Sequence, residues 1–178
     1  MKFIFIRHGE TNSNVVGKRM GKRIDEPLNE EGVRQAKQLA ENINFAFDAL
    51  YSSPLKRAHQ TAELLGKKFA VPVIVSNELA ENDFGDLSGK SWNEMSEITG
   101  QDAKAIHTKL KFNYRPYGGE SADEVRERLL RFIDDIKKTP ANTVLVLTHG
   151  GIIRMMHHVF ANKEIETSEN ASTHEFDL

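Results

Sequence analysis

Two unbroken apolar runs stand out along the chain, Phe3-Ile4-Phe5-Ile6 and Val144-Leu145-Val146-Leu147. Neither alternates with polar residues, and both are rich in branched or aromatic side chains. The pattern predicts parallel strands covered on both faces by helices. Weaker stretches at Ala49-Leu50-Tyr51 and from Val71 to Val75 predict two further strands, and Thr173 to Leu178 a last one at an edge.

Between these runs the apolar positions change to helical spacing. Val33, Ala36, Leu39, Ala40 and Ile43 form one stripe, with Asn29 as N-cap and Glu30 and Glu31 in the first turn. Leu55, Ala58, Ala62, Leu65 and Phe69 form a second, for which Ser53 is the expected N-cap and Pro54 the first helical residue. A third, Val125, Leu129, Phe132, Ile133 and Ile136, opens on the capping box Ser121-Ala122-Asp123-Glu124. The fourth follows Gly150-Gly151 through Ile152, Met156, Val159 and Phe160.

Alternating strands and helices predict a three-layer α/β/α sandwich with a mixed, mainly parallel sheet. The segment from Asn82 to Gly119 breaks the rhythm and carries scattered aromatics (Phe84, Trp92, Phe112, Tyr114, Tyr117). We expect a single domain over 1–178, with 82–119 as a lid-like insertion.

Composition narrows the classes of function. A net charge of -2 gives no global basic field for nucleic acid or an anionic membrane, so any anion must be held by a local cluster. With no cysteine, disulfides, zinc thiolates and thiol catalysis are excluded. The short apolar N-terminal run meets charge at Arg7, and no stretch is long enough to cross a bilayer, so a cytoplasmic protein is expected.

In open α/β sheets ligands bind beyond the carboxyl ends of strands. Here three strands end in chemistry: Arg7-His8-Gly9-Glu10-Thr11 with Asn14 behind it, Ser52-Ser53-Pro54-Leu55-Lys56-Arg57-Ala58, and Thr148-His149-Gly150-Gly151. If the strands are neighbours, two histidines and two arginines meet at one rim. Arginine grips two phosphate oxygens at once, and an unprotonated imidazole can attack phosphorus. A departing oxygen also needs a proton; Glu78, Glu81 and Asp83 are all candidates.

These blocks, with Leu79-Ala80-Glu81-Asn82-Asp83-Phe84-Gly85 and Gly119-Glu120-Ser121, resemble the histidine phosphatase (phosphoglycerate-mutase-like) superfamily over nearly the whole chain. The resemblance implies that His8 is the phosphorylated nucleophile. It places Arg7, Asn14, Arg57, His149 and Gly150 on the phosphoryl group and Glu81 at the general acid/base position. It implies no metal and no cofactor, and a small phosphorylated metabolite as substrate, such as a sugar phosphate or a nucleotide-derived phosphate. A cofactor-dependent phosphoglycerate mutase is the alternative, and a non-catalytic phospho-ligand-binding module a more distant one. Met20 stands where many relatives have Gln, and 82–119 offers only Arg115 in place of the mutases' paired arginines. With no tail expected to close over the site, the small phosphatase branch fits better.

The remaining histidines (His59, His107, His157, His158, His174) follow no such block and are read as structural or surface residues. Lys18-Arg19 and Lys22-Arg23 are read as a solvated loop rather than a recruiting patch. Nothing in the sequence specifies an oligomeric state.

Overall fold

The computed structural model describes residues 1–178. Strands β1 (Lys2–Arg7), β2 (Ala49–Ser52), β3 (Val73–Val75), β4 (Thr143–Thr148) and β5 (Thr173–Asp177) make one sheet in the order β3-β2-β4-β1-β5. All neighbours are parallel except β5, which runs antiparallel along β1. The helices are α1 (Asn12–Val15), α2 (Glu30–Asn42), α3 (Lys56–Phe69), α4 (Trp92–Thr99), α5 (Ala103–Thr108), α6 (Ala122–Lys137) and α7 (Gly150–Ala161).

The two apolar runs are unbroken because each feeds two cores. Successive strand residues point to opposite faces. Ile4, Ile6, Leu145, Leu147 and Leu50 pack with Leu39 and Ala40 of α2 and Ala62 and Leu65 of α3. Phe3, Phe5, Val144 and Val146 pack on the other face with Leu129, Phe132 and Ile133 of α6 and Ile152, Met155 and Met156 of α7. Each such side chain, fully buried, contributes about 1.5–3 kcal/mol. The result is the expected α/β/α sandwich.

Two of the expected helix starts hold. Asn29 Oδ1 accepts from Gly32 N at 2.8 Å, and Ser121 and Glu124 close a reciprocal capping box. The expected Ser53 cap does not. The helix begins at Lys56 with Leu55 as N-cap and no side-chain cap; the Ser53 hydroxyl lies one step too early, accepting from Leu55 N at 3.3 Å and meeting His149 Nε2 at 2.8 Å. The strand expected from Val71 is also shorter, starting at Val73.

Segment 82–119 holds α4, α5 and two single turns of 3-10 helix. Phe84, Leu87, Met95, Phe112 and Tyr114 join the larger core. His107 stacks on Phe112 with centroids 4.7 Å apart, and Trp92 lies 4.9 Å from the same imidazole. At the sheet edge, β5 is tied to α7 by a hydrogen bond between His157 Nε2 and His174 Nδ1 of 2.9 Å. No helix is long and apolar enough to cross a membrane.

Candidate active site

β4 lies between β1 and β2, and the chain leaves β1 towards one face of the sheet and β4 towards the other. This is the topological switch point at which such sheets open a crevice. Main-chain bonds tie the three strand ends side by side: His8 N donates to Thr148 O at 3.0 Å, and Ser53 N to Leu147 O at 2.9 Å. The His8 and His149 rings consequently sit with centroids 5.2 Å apart.

His8 is buried, and its Nδ1 lies 2.6 Å from Gly9 O. A carbonyl oxygen can only accept, so Nδ1 carries the proton. Burial, aided by the charges of Arg57 and Arg7, pushes the His8 pKa well below the ordinary histidine value. The ring is therefore neutral, with the Nε2 lone pair free. Burial also holds His149 neutral, with Arg57 adding to the effect. Its Nε2 faces the Ser53 hydroxyl, while its Nδ1 is buried without a partner.

Arg57, in the first turn of α3, is 1% exposed. Nη1 donates to Ile24 O at 3.0 Å and Nη2 to Gly21 O at 2.9 Å. Arg7 Nη1 donates to the carbonyl of Ser168. In both arginines Nε is buried and unpartnered. Burial lowers the Arg7 pKa to about 10, which still leaves it charged at neutral pH.

Thr11 caps α1 with a capping box completed by Asn14, whose Oδ1 accepts from Thr11 N at 3.1 Å. Asn14 Oδ1 also accepts from Asn170 Nδ2 at 3.2 Å, so the oxygen is committed and the amide NH₂ of Asn14 is left as its donor. Glu81 Oε1 accepts from Asn82 N at 3.0 Å and Oε2 from Gly151 N at 3.2 Å, in the first turn of α7. Gly151 is glycine for a reason of space: a Cβ there would fall 2.6 Å from Asn82 Nδ2 and would collide with the Glu81 carboxylate.

Six of the seven residues anticipated from the sequence (Arg7, His8, Asn14, Arg57, Glu81 and Gly150) line one cleft, and His149 packs against His8 beside it. The cleft has further walls that the sequence reading did not anticipate. Lys18 and Arg19 line it and are not a solvated loop, although Arg23 of the second pair does turn away to Asp83 at 2.8 Å. Met20 lines it as well. His107, read as structural or surface, is buried and reaches the cleft while bonded to Tyr114 Oη at 3.1 Å. Arg154 had a signal: it follows Gly150 by four residues, one helical turn along the same face.

The expectation of an uncovered site is corrected too. The stretch leading into β5 runs past the cleft, where Thr167 and Ser168 line it and Asn170 Nδ2 donates to His8 O at 3.0 Å. It is held there because Arg154 Nη2 donates to Glu166 O at 2.7 Å and Arg7 to Ser168. No group of three or more His, Cys, Asp or Glu side chains is arranged to hold a metal ion.

Known proteins resemble this chain along nearly its whole length. The model of the histidine phosphatase superfamily (branch 1) matches residues 3–177. A metal-independent phosphoserine phosphatase of Arabidopsis thaliana is 36% identical over 160 residues, 88% of this chain and 67% of that protein. Phosphoserine phosphatase 1 of Hydrogenobacter thermophilus is 34% identical over 160 residues, 88% of this chain and 74% of its own. Among solved structures, a mycobacterial glucosyl-3-phosphoglycerate phosphatase in complex with VO3 superposes with a TM-score of 0.84 at 26% identity, covering 98% of this chain and 91% of that one.

Proposed function

This chain belongs to the histidine phosphatase superfamily, and we propose that it hydrolyses a small phosphomonoester through a phosphohistidine on His8. One observation carries the mechanism. The residues gathered at His8 carry buried donors with no protein partner: Nε of Arg7, Nε of Arg57 and Nδ1 of His149. Native proteins rarely leave buried donors unpaired, and a tetrahedral oxyanion would satisfy all three.

In this reading His8 Nε2 attacks phosphorus as the bond to the leaving oxygen breaks. Glu81 gives that oxygen its proton. Water then attacks the phosphohistidine, Glu81 takes the proton back, and inorganic phosphate leaves. Arg7, Arg57, His149, Asn14 and the Gly150 N–H spread over the equatorial oxygens, so the positive charge that phosphoryl transfer needs comes from side chains. Segment 82–119 acts as a lid-like wall through Phe84, Trp92 and His107, all at the cleft.

The test is release of p-nitrophenol from p-nitrophenyl phosphate in the presence of EDTA, by the wild type and by His8→Ala. We expect chelator-resistant turnover with inorganic phosphate as product, absent in the variant, and a radiolabelled, acid-labile phosphoenzyme on rapid quench of the wild type. Equal turnover by both proteins would refute the assignment of His8. Isomerised phosphoester without free phosphate would replace hydrolysis by mutase chemistry.

A further inference from the structure

The cleft holds more positive charge than a phosphoryl group needs. Its lining includes Arg7, Lys18, Arg19, Arg57 and Arg154, against a single carboxylate, Glu81. Lys18 is already matched, with its ammonium 2.9 Å from Glu94. Four arginines then face one carboxylate, more positive charge than a phosphoryl dianion offsets whether or not Glu81 holds the proton it is to donate.

The surplus has an address. Arg19 lies over the Trp92 ring, its guanidinium carbon 5.4 Å from the centroid, and its Nε is buried with no partner. Stacking fixes the plane of the guanidinium and so prepares it for a planar, two-oxygen partner. Arg154 is anchored through Nε to Ile165 O at 3.2 Å and through Nη2 to Glu166 O at 2.7 Å, which leaves Nη1 uncommitted. Burial lowers the pKa of both groups; the Glu81 carboxylate opposes this in each, and the charge of Arg19 adds to the lowering at Arg154. Ser168 adds a buried hydroxyl with no partner on the same lining. The cleft, about 100 Å³, suits a phosphoryl group on a short chain of atoms.

We infer that the substrate is a short phosphomonoester carrying a carboxylate at its other end, held by Arg19 and Arg154. A neutral sugar or nucleoside would leave both guanidiniums without a counter-charge. The inference rests on the phosphatase reading above.

O-phosphoserine and O-phosphoethanolamine differ only by a carboxylate and make the decisive pair. For the wild type we expect kcat/KM at least about tenfold higher for O-phosphoserine, the worth of one good charge-assisted contact. Arg19→Met and Arg154→Met should each bring that ratio most of the way to one, chiefly through KM, while Arg19→Lys retains the larger part of it. A wild-type ratio near one, or an undiminished ratio in folded methionine variants, overturns the inference. Should the variants fail to fold, inhibition of the wild type by 3-phosphonopropionate and propylphosphonate decides: a Ki at least about tenfold lower for the carboxylated compound supports it, and equal values overturn it. If p-nitrophenyl phosphate is hydrolysed and the ratio is one, only the carboxylate site falls. If no ester at all is hydrolysed, the phosphatase reading falls first.

Discussion

A methyl group added at Gly151 tests the role proposed for Glu81 separately from the role proposed for His8. In Gly151→Ala the new Cβ would lie 2.6 Å from Asn82 Nδ2 and 3.1 Å from Asn82 Cγ, and it would overlap Glu81 Oε1. Asn82 is fully buried and contacts His107 Nε2 at 3.4 Å, so it has nowhere to retreat. The Glu81 carboxylate is the freer neighbour and must swing aside, losing its bond from Gly151 N. Overpacking of this kind costs about 1–3 kcal/mol. In a domain of this size each kcal/mol lowers Tm by roughly 2–4 °C. A misplacement of about 1 Å costs on the order of 100-fold in rate, within the range assigned to a general acid. Nitrophenolate leaves without a proton and an alkoxide does not. We therefore expect the phosphorylation step, read by rapid quench, to fall about 100-fold for an alkyl phosphate and about tenfold less than that for p-nitrophenyl phosphate. Equal losses for the two leaving groups, with folding intact by melting curve, would refute the role given to Glu81 and the reason given for Gly151.

Two further outcomes can be checked. His8, His107 and His149 are held neutral chiefly by burial, and burial likewise lowers the pKa of His174 to about 4. Below about pH 6.5 the unfolded chain takes up protons that the fold refuses, so stability must fall as pH drops, by up to about 1.4 kcal/mol per pH unit for each such ring; denaturant titrations giving the same unfolding free energy at pH 7.5 and 5.5 would contradict this. In Asn170→Asp the amide donor between His8 O and Asn14 Oδ1 becomes an acceptor facing two acceptors. We expect a loss of about 2–4 kcal/mol and a lower kcat with both leaving groups alike, measured by urea titration and steady-state kinetics; a variant as stable and active as the wild type would remove the strap from the account of the site.

The two apolar runs were legible because both sheet faces demand hydrophobic residues, and Asn29 and Ser121 because capping chemistry is local. Arg7, His8, Arg57 and His149 were legible as strand-end residues that parallel neighbours must bring together. Ser53 marks the limit of that locality: its hydroxyl accepts from Leu55 N at the helix start but also meets His149, 96 residues away, and the second contact has no local signal. Arg19 and Ser168 reach the cleft on loops and His107 on the short helix α5, all placed by tertiary contacts that no periodicity announces. The covering stretch before β5 was missed because its hold on the site runs through main-chain carbonyls, which carry no sequence signature.

That hold has a bearing on how the molecule is made. Ala171 N lies 3.1 Å from Arg7 O and 3.2 Å from His8 O, and Asn170 grips the same His8 carbonyl, so the proposed nucleophile is fastened by residues more than 160 positions downstream. A ribosome delivers His8 long before this fastening. Until residues 170–177 have been made, the imidazole follows a strand whose outer edge is still bare, and it is locked into place only when they arrive. Order at the proposed phosphoryl site thus waits, by topology, on a distant part of the chain.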